Sequence, residues 1–304
     1  MSSINWSGLL KWSLSYSDGT APTSRLNEED ISFLQGAIQE ALSSVEDPSK
    51  LITEAIEKLS DSNESVIITA IELIEKCVDF YPETARQFDR LNAMEPLLHV
   101  LSSRNEDIVE RSFQIMAFIF SNNPTVQQHA YEKKALPILM EFLETTPSTK
   151  LAIRCLGAIS ALIRNIGDAE KDFVESNGLK ALVIALNSEN TKYQEKAMTL
   201  SRHFLDINRF SYENIENLRF VDATLCILNT RKDETMGIQH GELCAHMVNA
   251  LIQNHRIKLA RCGDLEKLRS SIGTRLEYIK SLESQLDLDM SEEKVHLESA
   301  FSKT

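Results

Sequence analysis

Shifted by 42 residues, the segment AMEPLLHVLSS (93–103) lands on ALPILMEFLET. A further 43 gives GLKALVIALNS, 42 more gives FVDATLCILNT, and a shift back by 42 gives LITEAIEKLSD. The first apolar anchor of the five passes is Ile52, Met94, Leu136, Leu179 and Val221; the last is Leu59, Leu101, Leu143, Leu186 and Leu228. Between the anchors apolar residues recur every three or four positions, as at Leu97, Leu98 and Leu101 or at Leu182, Val183 and Leu186, the spacing of one helical face. Such recurrence constrains the fold strongly, because every copy must adopt the same local structure and present the same stripe.

Small polar residues follow each of these helices, and then a second apolar helix is expected, as at Ile108 to Phe120, Lys150 to Ile163 and Tyr193 to Leu205. Asp61, Asn63, Asn105 and the Thr-Thr-Pro-Ser run from 145 supply turns and N-caps. Short helical connectors, PETARQFDRLN, NPTVQQHAYEKK and DAEKDFVESN, precede the copies. Connector, helix, turn and helix in about 42 residues is the armadillo/HEAT pattern. One module cannot bury its stripe: each aliphatic gains roughly 1.5–3 kcal/mol on burial, and the entropy of ordering the chain removes most of it. The copies must therefore stack, which gives an all-α, right-handed superhelical solenoid of about five repeats with helical caps. An ordinary helical domain with coincident spacings is the alternative, and recurrence at two anchors in five copies disfavours it. The array is expected over 25–262. Glu242 to Leu259 reads as one or two closing helices, and Leu265 to Phe301 as a single amphipathic helix that caps the array within a 263–304 segment. That helix spans too few heptads for an independent coiled coil.

Ten glycines and seven prolines are few for 304 residues, and none of the prolines follows Pro147, which suits helix. A net charge of −13 argues against nucleic acid or an anionic membrane as the main partner. Five scattered cysteines without a CxxC pair suit a reducing compartment. The first twenty residues lack a basic n-region and no 18-residue apolar span follows, so a soluble, cytoplasmic chain is expected. HGELCAH (240–246) is the one metal-like cluster: His240 and Cys244 share a helical face with His246 to the side, too few ligands for a closed zinc site. No phosphate-cradling glycine loop, nucleophile elbow or HExxH is present. No cofactor, no metal and no enzymatic activity are expected, a metal-dependent hydrolase at 240–246 being the weaker alternative.

FIFSNNPTVQQHAYEKKALPILMEFL (118–143), KLAIRCLGAISALIRN (150–165) and GLKALVIALNSENTKYQEKAMTLSRHFL (178–205) resemble the armadillo-type nucleotide exchange factors of seventy-kilodalton heat-shock chaperones. The likeness to this Fes-one / heat-shock-binding-protein-one family is sharpest at AISALIRN, at NNPTVQ and at the opening LLKWS (9–13). The resemblance implies a monomeric co-chaperone whose concave face grips the chaperone's ATPase domain and promotes ADP release. An adaptor for extended peptides is a further alternative, but its groove uses a tryptophan ladder, and no tryptophan follows Trp12.

In such arrays the inner surface comes from the second long helix of each repeat. With Ala70, Ser112, Cys155 and Ala197 as equivalent buried positions, the inward row is Arg111, Gln114, Phe118 and Asn122, then Arg154, Gly157, Ala161, Arg164 and Asn165, then Lys196, Thr199 and His203. This row is polar and cationic on an acidic protein and would steer an acidic partner surface; singly, each residue also reads as an ordinary solvated helix position. Leu9, Leu10, Trp12, Leu14 and Tyr16 put large apolar surface in a segment too short for a core, within an expected flexible region 1–24. It reads either as a docked cap or, as the resemblance implies, as a tail that helps release bound substrate, aided by a tethered concentration of about a millimolar.

Overall fold

The computed structural model describes Gly36 and residues 48–80, 82–230, 238–286 and 289–304, so the expectations for 1–24 and for the first residues of the array lie outside the described residues. What is described is helical throughout, without a strand. The elements are α1 (Pro48–Lys58), α2 (Glu64–Phe80), a 3-10 turn (Pro82–Gln87), α3 (Met94–His99, continued as 3-10 through Ser102), α4 (Glu106–Phe120), α5 (Pro124–Glu132), α6 (Ala135–Thr145) and α7 (Thr149–Ile163). Then follow α8 (Gly167–Glu175), α9 (Gly178–Leu186), α10 (Thr191–Asp206), α11 (Tyr212–Asn217), α12 (Phe220–Asn229), α13 (Ile238–Cys262), α14 (Asp264–Leu286) and α15 (Ser291–Lys303). No helix among the described residues is long and apolar enough to cross a membrane.

The period governs what is buried. All ten anchors, from Ile52 and Leu59 to Val221 and Leu228, lie in one continuous core, as do Ala70, Ser112, Cys155 and Ala197. Two rows of helices stack: α1, α3, α6, α9, α12 and α14 in one, and α2, α4, α7, α10, α13 and α15 in the other, the second row's helix being the longer in each repeat up to α13. Each longer helix thus buries one stripe against its own repeat and flanks the next longer helix. A run of rings, Phe173 on Phe204 (5.1 Å), Phe204 on Phe210 (5.0 Å) and Phe210 toward Phe220 (6.4 Å), continues the core from the fourth repeat into the fifth.

Local chemistry starts and stops these helices at matching places. Asn63 and Asn105 accept from the backbone N–H two residues on, at 3.0 and 3.1 Å, and Asn190 accepts from Tyr193 N at 3.2 Å. Each side chain satisfies an amide that helix geometry leaves without a partner. Pro124 opens α5, where its missing N–H costs nothing. The ends of α4, α7 and α10 run into Asn122, Asn165 and Asn208, which adopt left-handed backbone with φ of 54°, 68° and 52°. Asparagine enters that region more readily than other side-chain-bearing residues, so its recurrence every 43 residues is a stop signal.

At the C-terminus two helices stand where one was expected. α14 ends at Leu286 and α15 begins at Ser291, whose N–H is accepted by Asp289 Oδ1 at 3.1 Å. The steps of three and four continue through the break because both helices bury a stripe: α14 packs on α12 and α15 on α13, as a further repeat would. Replacing Asn165 by valine, a β-branched residue forced into left-handed backbone, is expected to lower unfolding free energy by about 1–2 kcal/mol, whereas Asn165→Gly should change it by under about 0.5 kcal/mol. Urea denaturation of both variants checks this, and equal losses would contradict the stop-signal role.

Candidate partner-binding groove

A groove of about 500 Å³ runs across the long-helix row, lined by Glu110 from α4, Lys150, Ile153 and Arg154 from α7, Lys192, Glu195, Lys196 and Thr199 from α10, and Gln239 and Leu243 from α13. Larger clefts of about 590 and 760 Å³ lie elsewhere, but neither draws on four consecutive long helices as this one does. The helices supply these residues because each long helix has two faces committed to packing and one narrow stripe left over.

Of the residues singled out in the sequence, Arg154, Lys196 and Thr199 line this groove, and Arg111 and Gln114 stand beside it on α4. Phe118 is exposed one turn further along α4. The others have work elsewhere. Asn122 and Asn165 are the left-handed stops described above. The backbone carbonyls of Ala161 and Arg164 accept from the Gln127 side-chain amide, at 3.1 Å for Arg164, which satisfies the open end of α7. Burial first, and then the neighbouring Arg202, push the Arg164 guanidinium below its ordinary pKa. His203 Nε2 lies 2.8 Å from Oε1 of Glu170, a buried carboxylate that also accepts from Asn165 N at 3.2 Å. Leu9, Leu10, Trp12, Leu14 and Tyr16 fall outside the described residues.

The electrostatics differ from the expectation of an unopposed cationic row. Arg111 is gripped by Glu75 with both carboxylate oxygens, one of them 3.0 Å from Nε, and also faces Glu72 at 3.7 Å and Asp107 at 3.8 Å. Glu110 takes Arg154 Nε at 3.1 Å on one oxygen and Lys150 on the other. With its amide oxygen turned inward, Gln114 accepts from Arg154 Nη2 at 2.9 Å. Apart from Asp107, which shares α4 with Arg111, the acids sit on the preceding long helix about one repeat earlier, so the cations were legible while the acids that answer them were missed. The signal was opposite charge at roughly repeat spacing, 36 residues for Glu75 with Arg111 and 44 for Glu110 with Arg154. Among the described residues neither Lys192 nor Lys196 has an ion-pair partner, and both are exposed. They give the groove its unbalanced charge.

HGELCAH does not converge. His240 and Cys244 are buried, and His240 Nε2 lies 2.8 Å from Gln194 Oε1 across the seam with α10. No disulfide joins any of the five cysteines.

Residues 84–217 match the family model of the SIL1/FES1/HPBP1 C-terminal domain. The matched residues include α4, α7 and α10, three of the four helices that line the groove. The chain is similar to the nucleotide exchange factor SIL1 of Xenopus laevis, 24% identical over 163 residues that make 53% of this chain and 36% of that protein. It is also similar to the Hsp70 nucleotide exchange factor FES1 of Yarrowia lipolytica, 29% identical over 151 residues, 49% of this chain and 51% of that one. The chain thus spans between about a third and a half of the length of these relatives. In fold it resembles computationally designed armadillo repeat proteins for modular peptide recognition, with a TM-score of 0.64 at 15% identity over 83% of this chain and 99% of that one. A structure from work on the interaction between cadherin and β-catenin gives 0.62 at 17% identity over 83% and 46%. At such identities the likeness is one of fold, and it makes the array an armadillo solenoid.

Burial alone would raise the pKa of Glu110, but hydrogen bonds from Lys150 and Arg154 outweigh it and hold the carboxyl below its ordinary value of 4.5. Its contribution to stability is therefore full above that value and is lost as pH falls through the depressed one. Glu110→Gln should cost about 1 kcal/mol at neutral pH, because a neutral amide with one acceptor oxygen replaces the carboxylate that holds two solvent-reachable cations. The gap to the unmodified chain should narrow on acidification below roughly pH 4. Urea titrations across that range check it, and a gap independent of pH would contradict the assignment.

Proposed function

We propose that this chain is a nucleotide exchange factor for an Hsp70-class chaperone, acting by binding rather than by catalysis, with the groove as its grip on the chaperone's ATPase domain. One observation carries the reading: the stretch matching the family model contains three of the four helices whose free stripes line the groove. The relatives named as exchange factors for Hsp70 align over 49% and 39% of this chain.

The physical mechanism is linkage. A partner that binds the opened, nucleotide-free ATPase more tightly than the closed, ADP-bound one must weaken ADP binding by the same factor. A partner with equal affinity for both would shift nothing, however tightly it bound. A stacked solenoid suits this task because its curvature is set by a buried core and resists adapting to the closed form. Lys192 and Lys196 supply a positive centre for an acidic surface on the ATPase, worth more in encounter rate than in final affinity. On the same reading the segment bearing Leu9, Leu10, Trp12, Leu14 and Tyr16 assists substrate release, supported by its exposed-type apolar composition next to a polar run. A monomeric, cytoplasmic protein completes the reading, in keeping with five cysteines that form no disulfide.

Stopped-flow release of a fluorescent ADP analogue from purified Hsp70 tests the proposal; acceleration by this chain is expected, and an unchanged rate would overturn it. Charge reversal at Lys196, which makes no ion pair among the described residues, should weaken chaperone binding by about tenfold or more, the scale of a single close charge pair across an interface. It should leave the circular dichroism melt unchanged. Arg154→Glu is a poorer probe, because it sets two carboxylates against each other at Glu110 and would destabilise the array itself.

A further inference from the structure

Three side chains of metal-ligating chemistry meet at the C-terminal end of the long-helix row. His246 comes from α13, while Glu292 and His296, one helical turn apart, share a face of α15. Nε2 of His246 lies 3.0 Å from Oε1 of Glu292, and the imidazole rings of His246 and His296 stand 3.4 Å apart, centroid to centroid. Ligand atoms from the three residues all lie within 4.8 Å of one another.

Their placement follows from how α15 is docked. Lys303 Nζ reaches Asn249 Oδ1 at 2.9 Å, and Ser299 is beside the same amide at 3.5 Å. Next to the cluster, Glu293 pairs with Arg275 of α14 through two bonds of 2.7 and 3.1 Å. Glu293 sits so close to Gly241 that a Cβ there would stand 2.1 Å from its carboxylate. These contacts fix the register of α15 on α13, so the three donors are held together by the fold. The cluster is open on one side: the His246 side chain is only 12% exposed but that of Glu292 is 59% exposed, which gives an ion a way in.

We infer that His246, Glu292 and His296 bind a zinc-class divalent cation that staples α15 to α13. Two imidazoles and one carboxylate form a donor set suited to zinc and its late first-row neighbours, whereas magnesium and calcium take oxygen ligands. Donors about 2.0–2.1 Å from a tetrahedral ion stand roughly 3.4 Å from each other, close to the separation of His246 Nε2 and Glu292 Oε1, while the two imidazoles, in face contact here, would turn apart to share the ion. The two ligands from α15 and the one from α13 come together only while the helices are docked, so cation binding adds to the stability of docking. Since α15 continues the row that builds the groove, the cation would stiffen the end of the array. None of this rests on the chaperone reading.

The test is a zinc titration of the full chain, by competition with a chromophoric chelator and by thermal melting with and without zinc. Cys226 and Cys262 are exposed thiols that could take zinc themselves, so both are first replaced by serine. One zinc per chain and a raised melting midpoint are expected. Glu292→Gln, at an exposed position, should weaken zinc binding at least tenfold without moving the metal-free midpoint, and His246→Asn with His296→Asn should abolish it. An absence of saturable zinc binding would overturn the assignment, as would undiminished affinity in Glu292→Gln. Should the double histidine variant fail to fold, Glu292→Gln decides.

Discussion

The structure depends on the seam between consecutive long helices. A single repeat cannot bury its apolar stripe alone, so α4 is stable only with α2 on one side and α7 on the other, and so on along the row. This packing consumes two faces of every long helix. What remains is a stripe one side chain wide, and the groove is the sum of these stripes. Its chemistry is therefore what the seam leaves over. Arg111 and Arg154 are neutralised by Glu75 and Glu110 at the seam's edge, and the surplus charge rests on α10.

The same seam accounts for the two most family-like motifs. NNPTVQ supplies Gln127, AISALIRN supplies the carbonyls of Ala161 and Arg164, and the two meet in hydrogen bonds that close the end of α7. One repeat later Glu170 occupies the place of Gln127 and contacts His203, which occupies the place of Ala161. These motifs hold the array's geometry and do not line the groove. The likeness to the SIL1/FES1/HPBP1 model thus rests partly on residues that fix how the repeats stack rather than on residues that line the groove.

Much of the fold was legible because a period of 42 residues turns weak local signals into a strong one. All ten anchors are buried, α4, α7 and α10 begin within two residues of where their apolar stripes start, and Asn63 and Asn105 cap as their position suggests. The candidate groove was less legible. Asn122 and Asn165 face the right way by helical count, but the count ignores that the helix has already ended in left-handed backbone. Which cation keeps its charge unopposed depends on the neighbouring repeat, and so on distances that spacing within one helix does not contain. The break between α14 and α15 was hidden because both helices carry the same stripe. The His246, Glu292 and His296 cluster joins residues about fifty positions apart, while the sequence drew the eye to HGELCAH, whose His240 points into the core.

The central claim is that the inner stripe, and not the outer helices, meets the partner. A photo-crosslinking amino acid placed at Thr199, in the groove, or at Ile184, exposed on the outer helix α9, tests it directly in the presence of Hsp70. The account predicts a crosslink to the ATPase domain from position 199 and none from 184; the reverse pattern would contradict it.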